Sequence, residues 1–313
     1  MLAFAAALLF GLVLLVWSAD RFVSGAAGLS RRLGLSPLVI GMVVVGFGTS
    51  APELTVSALA SLGGQPALAL GNAWGSNIVN IGLILGLTAL LRPLAVQSRV
   101  LQQEVPILGV VTALTLLAAW DLTISRLEAG LGLVLFAALL TWSVRTGEDE
   151  PDAVADLAPA ETGNPWLWTL LGLVLLIVAA RLLVWGAVGL ASAWGVSEIV
   201  IGLTIVAVGT SLPELAASLV AVRRGNADMA LGNVIGSNLF NTLAVVGLAG
   251  IISPPSMAPE VLSRDLMVMA LATAAVWLVC RPGKDGRMRI GRRGGGILLA
   301  GYLGYTAWLL TAV

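Results

Sequence analysis

Two short segments of this sequence place charge where charge is costly. GFGTSAPEL (Gly46–Leu54) returns as AVGTSLPEL (Ala207–Leu215), so Glu53 and Glu214 stand in equivalent positions 161 residues apart, each inside a long apolar stretch. An ionised Glu at mid-membrane depth costs at least about 2–3 kcal/mol on insertion scales, and no Lys or Arg shares those stretches at that depth. Two such carboxylates call for a cation. The chain has no His, which removes imidazole from every catalytic or metal-binding scheme. Its one Cys, Cys280, excludes disulfides within the chain and thiolate metal sites. A metal here must be held by oxygen.

Neutral oxygens follow each carboxylate. Asn72, Ser76 and Asn80 are spaced by four and lie along one stripe of a helix, as do Asn233, Ser237 and Asn241. Polar packing between helices is the plainer role for such residues in a membrane, and it is favoured for Asn72 and Asn233, nearer the helix starts. Ser76, Asn80, Ser237 and Asn241 lie deeper and are the better ligands. Carboxylate, hydroxyl, carboxamide and backbone carbonyl are hard donors suited to Ca²⁺ or Na⁺ and not to soft transition metals. Two Glu supply a charge that one Ca²⁺ or two Na⁺ balance, and a third Na⁺ held by neutral oxygens leaves one net charge to move per cycle. Carboxylates this close in a low-dielectric site also let protons compete with metal.

The local sequence around each Glu has a second reading. Ser50, Ala51, Pro52 and Glu53 fit a capping box, with Ser at the N-cap and Glu at the third helical position, and Ser211, Leu212, Pro213 and Glu214 repeat it. A cap is worth about 1 kcal/mol in water, too little to justify two membrane carboxylates, but capping and cation binding are compatible. A helix start at this depth means a helix broken within the membrane. The break is expected to free carbonyls at Gly46 to Thr49 and Ala207 to Thr210, which is tolerated only where backbone lines a cavity or is buried in protein.

The elements that must position these groups come from a duplication. Without a gap, 30 of the 68 positions from Asp20 to Leu87 match the residue 161 places on, including Gly71/Gly232, Asn77/Asn238 and Asn80/Asn241. At 58% hydrophobic and 11% charged residues, the chain is far from the roughly 25% charged of a soluble domain. Apolar stretches of about 20 residues give ten spans: 2–20, 36–62, 66–91, 100–119, 124–143, 166–192, 197–222, 227–252, 261–280 and 295–313. The first can continue as an amphipathic helix towards Arg31, and lacking a basic start and a clear cleavage site it reads as a span, not a signal peptide.

Of the 17 Lys and Arg residues, 14 fall in odd-to-even connections; Arg126 and Arg264 lie on the other side and Arg181 within the sixth span. The positive-inside rule then puts both termini outside. Five spans per unit, an odd number, invert the second unit relative to the first, an arrangement typical of transporters with a midplane site. The expected fold is an all-α membrane protein of ten transmembrane helices in two inverted five-helix repeats, with helices 2 and 7 broken. The units are 1–144 and 166–313, joined by an acidic cytoplasmic linker, 145–165, which holds Glu148, Asp149, Glu150, Asp152, Asp156 and Glu161. That linker reads as a solvated connection, with a regulatory calcium site as the less favoured alternative.

The paired GTSxPEL segments, each followed by GNxxGSNxxN, resemble the two α-repeats of the calcium/cation antiporter superfamily, the sodium/calcium exchangers. The resemblance spans nearly the whole chain. It implies that Glu53 and Glu214 are central carboxylates shared by calcium and sodium, with the backbone carbonyls of Thr49 and Thr210 completing the calcium site. It further implies that Ser50 and Ser76 with the Gly46 carbonyl form an inner sodium position, Ser211 and Ser237 with the Ala207 carbonyl an outer one, and Asn80 and Asn241 the middle one. Some relatives, including archaeal and potassium-dependent exchangers, carry Asp where this chain has Asn241, so the charge available here is lower and simple Na⁺/Ca²⁺ exchange is favoured. The linker is too short for the large regulatory insert of animal exchangers, which points to a prokaryotic type in the plasma (inner) membrane.

The leading function is therefore a secondary antiporter of Ca²⁺ against Na⁺ working by alternating access. Helices 2, 3, 7 and 8 form the site and helices 1 and 6 slide across them, as the resemblance suggests. Ca²⁺/H⁺ exchange is the near alternative, since the Glu pair can carry protons. A cation channel would build its acidic ring from identical subunits, which an internal inverted pair does not supply. An intramembrane hydrolase lacks a base, for Ser50 and Ser211 have no His or Lys near them in sequence. The expected partners are the lipid bilayer and the transported ions, in a protein that can be monomeric; no enzyme activity, cofactor or nucleic acid is expected.

Overall fold

The structure, a computed structural model, describes residues 1–146, 163–195, 207–283 and 288–311. The acidic linker residues Glu148 to Glu161 and the start of the seventh expected span lie outside them. Among the described residues the protein is mostly helical, with seven helices long and apolar enough to cross a membrane and an eighth if a bent pair counts as one span.

The first helix, α1 (Leu2–Leu33), continues beyond its span past Arg31, as the sequence allowed, and stops at Gly34, whose φ of 69° only glycine adopts readily and whose N–H reaches back to Ser30 O. Arg21, read from sequence as a connection residue, thus lies within α1, its guanidinium 5.0 Å from the ring of Trp168 and 5.8 Å from that of Trp17. The bent pair is α2 (Pro37–Thr49) and α3 (Ala51–Leu62), which meet at 43°. Pro52 accounts for the bend, because it has no N–H to bond the residue four places back. Then come α4 (Pro66–Leu91), α5 (Val100–Asp121), α6 (Arg126–Thr146) and α7 (Pro165–Ala193). Asn164 caps α7 through a 3.0 Å bond from Trp166 N, with Pro165 in the first turn.

After a single turn, α8 (Ala207–Gly209), the chain continues as α9 (Leu212–Arg223), α10 (Ala227–Ile252), α11 (Val261–Val279) and α12 (Arg292–Thr311). The last has the length of a span, but its glycines and tyrosines lower its hydropathy below that of the others. The sequence period persists in the backbone. Ala51–Leu62 recurs as Leu212–Arg223, and the π-helical turns Val79–Leu85 and Val100–Glu104 recur as Phe240–Val245 and Val261–Leu266.

Two helices form the centre. In their most apolar windows 72% of α4 and 78% of α10 is buried, against 11% for α6. By contrast α1 and α7 pack mainly on each other as a long antiparallel pair. Small residues let their backbones touch: a Cβ at Gly25 would stand 2.4 Å from Thr169 N, and one at Gly172 2.6 Å from Phe22 N.

The connections segregate. Strands β1 (Leu94–Ala95), β2 (Cys280–Pro282) and β3 (Met288–Ile290) form an antiparallel sheet in the order β1-β3-β2, joining the α4–α5 and α11–α12 connections. The α5–α6 and α10–α11 connections meet separately, through Ile124 N to Pro255 O at 3.0 Å and Met257 N to Leu122 O at 2.9 Å.

Candidate functional site

Glu53 and Glu214 sit in the first turns of α3 and α9 and have no accessible surface. Around them is a polar interior of Thr49, Ser50, Ser76, Asn80, Ser211, Ser237 and Asn241, each at most 3% exposed. Neither carboxylate takes part in the ion pairs Arg99–Glu104, Arg224–Asp20 and Arg264–Asp265.

The serines that precede the two Glu do not act as caps. Ser50 (φ −84°, ψ 7°) and Ser211 (φ −90°, ψ 10°) lie outside the extended region an N-cap needs, and neither side chain bonds its own helix start. The capping box is thus corrected by the structure. The hydroxyls cross instead to the opposite carboxylate: Ser50 Oγ donates to Glu214 Oε1 at 2.8 Å, and Ser211 Oγ donates to Glu53 Oε1 at 3.4 Å. Glu53 Oε1 also accepts from Ser76 Oγ at 3.4 Å. The second oxygen of each carboxylate, Oε2, is buried with no hydrogen-bond partner. Buried acceptors left in this state cost free energy until a donor or cation reaches them.

Nor does the bend at Ser50 free the first of those carbonyls, that of Gly46, as expected. The Gly46 carbonyl still receives Ser50 N at 3.1 Å and takes a further bond from Ser237 Oγ at 3.2 Å, so the inner carbonyl sits beside a serine of the second unit. In the second copy Ser211 N bonds Val208 O at 3.1 Å, and Thr210 is half-buried. Ala207 opens the single turn α8, and its side chain lies outside the description.

The asparagine stripes separate by depth. Asn72 Nδ2 donates to Glu53 O (3.1 Å) and Ser57 Oγ (3.0 Å); Asn233 Nδ2 donates to Glu214 O (3.1 Å) and Ser218 Oγ (2.8 Å). Both bracket their carboxylate-bearing helix to the next one, the packing role favoured from sequence. Ser57 and Ser218 match at the same period, four residues after each Glu, a signal in the sequence for this bracket. Asn80 Nδ2 donates to Asn238 Oδ1 at 3.0 Å and keeps a buried, unpartnered Oδ1. Asn241 is fully buried, and neither its Nδ2 nor its Oδ1 has a partner.

At the crossing, backbone meets backbone. A Cβ at Gly232 would lie 2.2 Å from Leu38 O, and one at Gly236 2.5 Å from the Met42 carbonyl oxygen, so α2 lies directly against α10. Phe47 and Phe240 stack edge to face beside it, centroids 4.8 Å apart. No group of three or more Asp, Glu, His or Cys among the described residues could hold a metal. A cation here draws on two carboxylates and neutral oxygens alone, a donor set for hard ions.

The family profile described as sodium/calcium exchanger protein matches residues 3–145 and 164–311. The putative antiporter CaxA of Alkalimonas amylolytica is 47% identical over 313 residues, covering 97% of this chain and 98% of that one. The sodium/calcium exchanger MaX1 of Methanosarcina acetivorans is 32% identical, covering 87% of this chain and 89% of its own length. Among solved structures, the sodium-calcium exchanger NCX_Mj soaked with zero Na⁺ and Ca²⁺ superposes with a TM-score of 0.85 at 33% identity, covering 98% of this chain and 99% of that one.

Proposed function

We propose that this chain, which belongs to the sodium/calcium exchanger protein family, is a secondary active antiporter that moves Ca²⁺ against Na⁺ by alternating access. One observation carries the reading: two fully buried carboxylates, each receiving a serine hydroxyl from the other unit and each keeping one bare oxygen. A hydroxyl that donates its proton to a carboxylate still has lone pairs for a cation. Ser50, Ser76, Ser211 and Ser237 can therefore serve Na⁺ at the flanks while Glu53 and Glu214 take Ca²⁺ between them, with the Thr49 and Thr210 carbonyls. The Gly46 and Ala207 carbonyls and the amides of Asn80 and Asn241 complete the proposed ligand set.

The same reading gives the architecture its meaning. Ten spans form two inverted units, 1–144 and 166–313, with 145–165 as the cytoplasmic linker and both termini outside, in the plasma membrane of a prokaryote. The segregation of connections to separate ends supports this plan. The α1/α7 pair, packed mainly on itself, is the body that slides across α2, α3, α4, α9 and α10. Bare carboxylate oxygens also accept protons, so Ca²⁺/H⁺ exchange is the second reading. The test is calcium uptake by the purified chain in vesicles under imposed sodium, proton or potassium gradients. Uptake driven by sodium alone supports the proposal; uptake driven by protons with sodium dispensable replaces it, and flux without any counter-ion gradient would indicate a channel.

A further inference from the structure

The two middle asparagines, equivalent in sequence, are not equivalent in the structure. Asn80 Nδ2 is held by Asn238 Oδ1 at 3.0 Å. The duplication makes Asn77 the counterpart of Asn238, so the mirror-image bond would join Asn241 Nδ2 to Asn77 Oδ1. That bond is absent: Asn241 has no partner, and Asn77 Oδ1 has none either. Asn77 Nδ2 instead donates to Thr242 Oγ1 at 2.7 Å, with Met269 Sδ at 3.4 Å on its other flank. Thr242 is the residue that breaks the symmetry, because its counterpart in the first unit is Ile81, which offers no hydroxyl. All five polar side chains are at most 4% exposed, so water cannot substitute for the missing partner at no cost.

We propose that Thr242 is a positioning residue that, by holding Asn77, keeps the whole Asn241 amide available to the transported sodium. The site is then built asymmetrically, with one middle amide tied down by a neighbour and the other reserved for an ion. Asn238 reinforces this, since its Nδ2 reaches the Asn77 carbonyl at 3.5 Å and fixes the backbone from which Asn77 turns towards Thr242. Without the hydroxyl, Asn77 is free to turn to Asn241 and reproduce the Asn80–Asn238 bond. A sodium ion must then break a buried hydrogen bond before it can bind. The inference rests on the proposed ion site, and its test separates the two.

Sodium-driven calcium uptake is measured for the purified full chain in vesicles, with thermal melting in detergent as the check on folding. Thr242→Val, which keeps the shape and removes the hydroxyl, raises the half-saturating Na⁺ concentration about fivefold, the size expected for one buried hydrogen bond, while the maximal rate changes less than twofold. Thr242→Ser stays close to the parent. Adding Asn77→Ala to Thr242→Val removes the competing amide and brings the Na⁺ dependence back towards the parent value, which loss of packing alone cannot do. An unchanged Na⁺ dependence in a folded Thr242→Val protein, or no recovery in the double variant, overturns the proposal. Asn241→Ala, run in parallel, tests the underlying site: if it leaves the Na⁺ dependence untouched, the ion-site assignment fails and not merely the role of Thr242.

Discussion

Ser50 donates its hydroxyl proton across the molecule to Glu214 at 2.8 Å, and this bond links the bend of one unit to the carboxylate of the other. The reciprocal bond, Ser211 to Glu53, is longer at 3.4 Å. Each unit thus supplies a hydroxyl to the other's charge, so neither half of the site is complete alone.

The role of Ser50 is testable by a residue that caps well but carries charge. If Ser50 were a cap, Ser50→Asp would preserve stability, since Asp and Ser rank together at that position. Facing Glu214, an Asp carboxylate instead meets a second buried carboxylate and repels it. The expected result is a lower melting temperature than Ser50→Ala and loss of calcium uptake in vesicles. A Ser50→Asp protein as stable and active as the parent would restore the capping reading.

Replacing Glu53 or Glu214 by Gln keeps the shape and removes a charge that the proposed calcium site needs. Breaking a buried charge pair costs about 3–5 kcal/mol, so calcium exchange should fall at least about a hundredfold. The folded protein should survive, because no Lys or Arg among the described residues relies on either carboxylate. Isothermal calcium binding and uptake on the purified variants give the answer, and near-normal flux in either would remove it from the site.

The contact between α2 and α10 predicts a steep contrast between two glycine substitutions. Gly236→Ala forces a methyl to within 2.5 Å of the Met42 backbone, where no side chain can yield. Overpacking of that kind costs about 1–3 kcal/mol, and here it also displaces the Ser237–Gly46 bond. Gly109→Ala, in α5 with nothing within 4 Å of the added Cβ, should be neutral or stabilising by up to about 1 kcal/mol. Melting curves of both in detergent decide; equal shifts would mean that the backbone approach is not rigid.

Asn241→Asp adds a carboxylate without changing size, in a side chain whose amide has no partner. Exchange should continue. It should also fall off at a higher pH than in the parent as the medium is acidified, because a proton on the third carboxylate competes with sodium. The pH profile of sodium-driven calcium uptake measures this, and an unchanged profile counts against Asn241 facing the ion path.

Much of this arrangement is legible in the sequence. The period of 161 identified Glu53 with Glu214 and the two Asn–Ser–Asn stripes, and Pro52 beside Ser50 marked the bend. The partner of Ser50 was not legible, because a Ser followed three residues later by Glu reads the same whether its hydroxyl turns to its own helix or to another one. Only the approach of α9 decides that. Asn77 and Asn238 were visible as a matched pair, yet each lies about 100° round its helix from the neighbouring serine, off the stripe that faces the carboxylates, and so drew no role. Thr242 carried no repeat signal at all, since its counterpart is Ile81. Its importance comes from the difference between the units, which a search for likeness passes over.

The charge count of the proposed site makes exchange electrogenic. With two carboxylates and neutral donors elsewhere, a cycle of three Na⁺ for one Ca²⁺ carries one net charge across the membrane. Membrane potential then biases the flux by about 2.3 kcal/mol per 100 mV. Vesicles clamped at opposite potentials with fixed ion gradients should therefore take up calcium at different rates, and the sodium gradient at which flux reverses should move with voltage. Reversal at a fixed sodium gradient whatever the voltage would make the exchange electroneutral. Two monovalent ions would then balance each Ca²⁺, and the Asn80 and Asn241 amides would have no third sodium to hold.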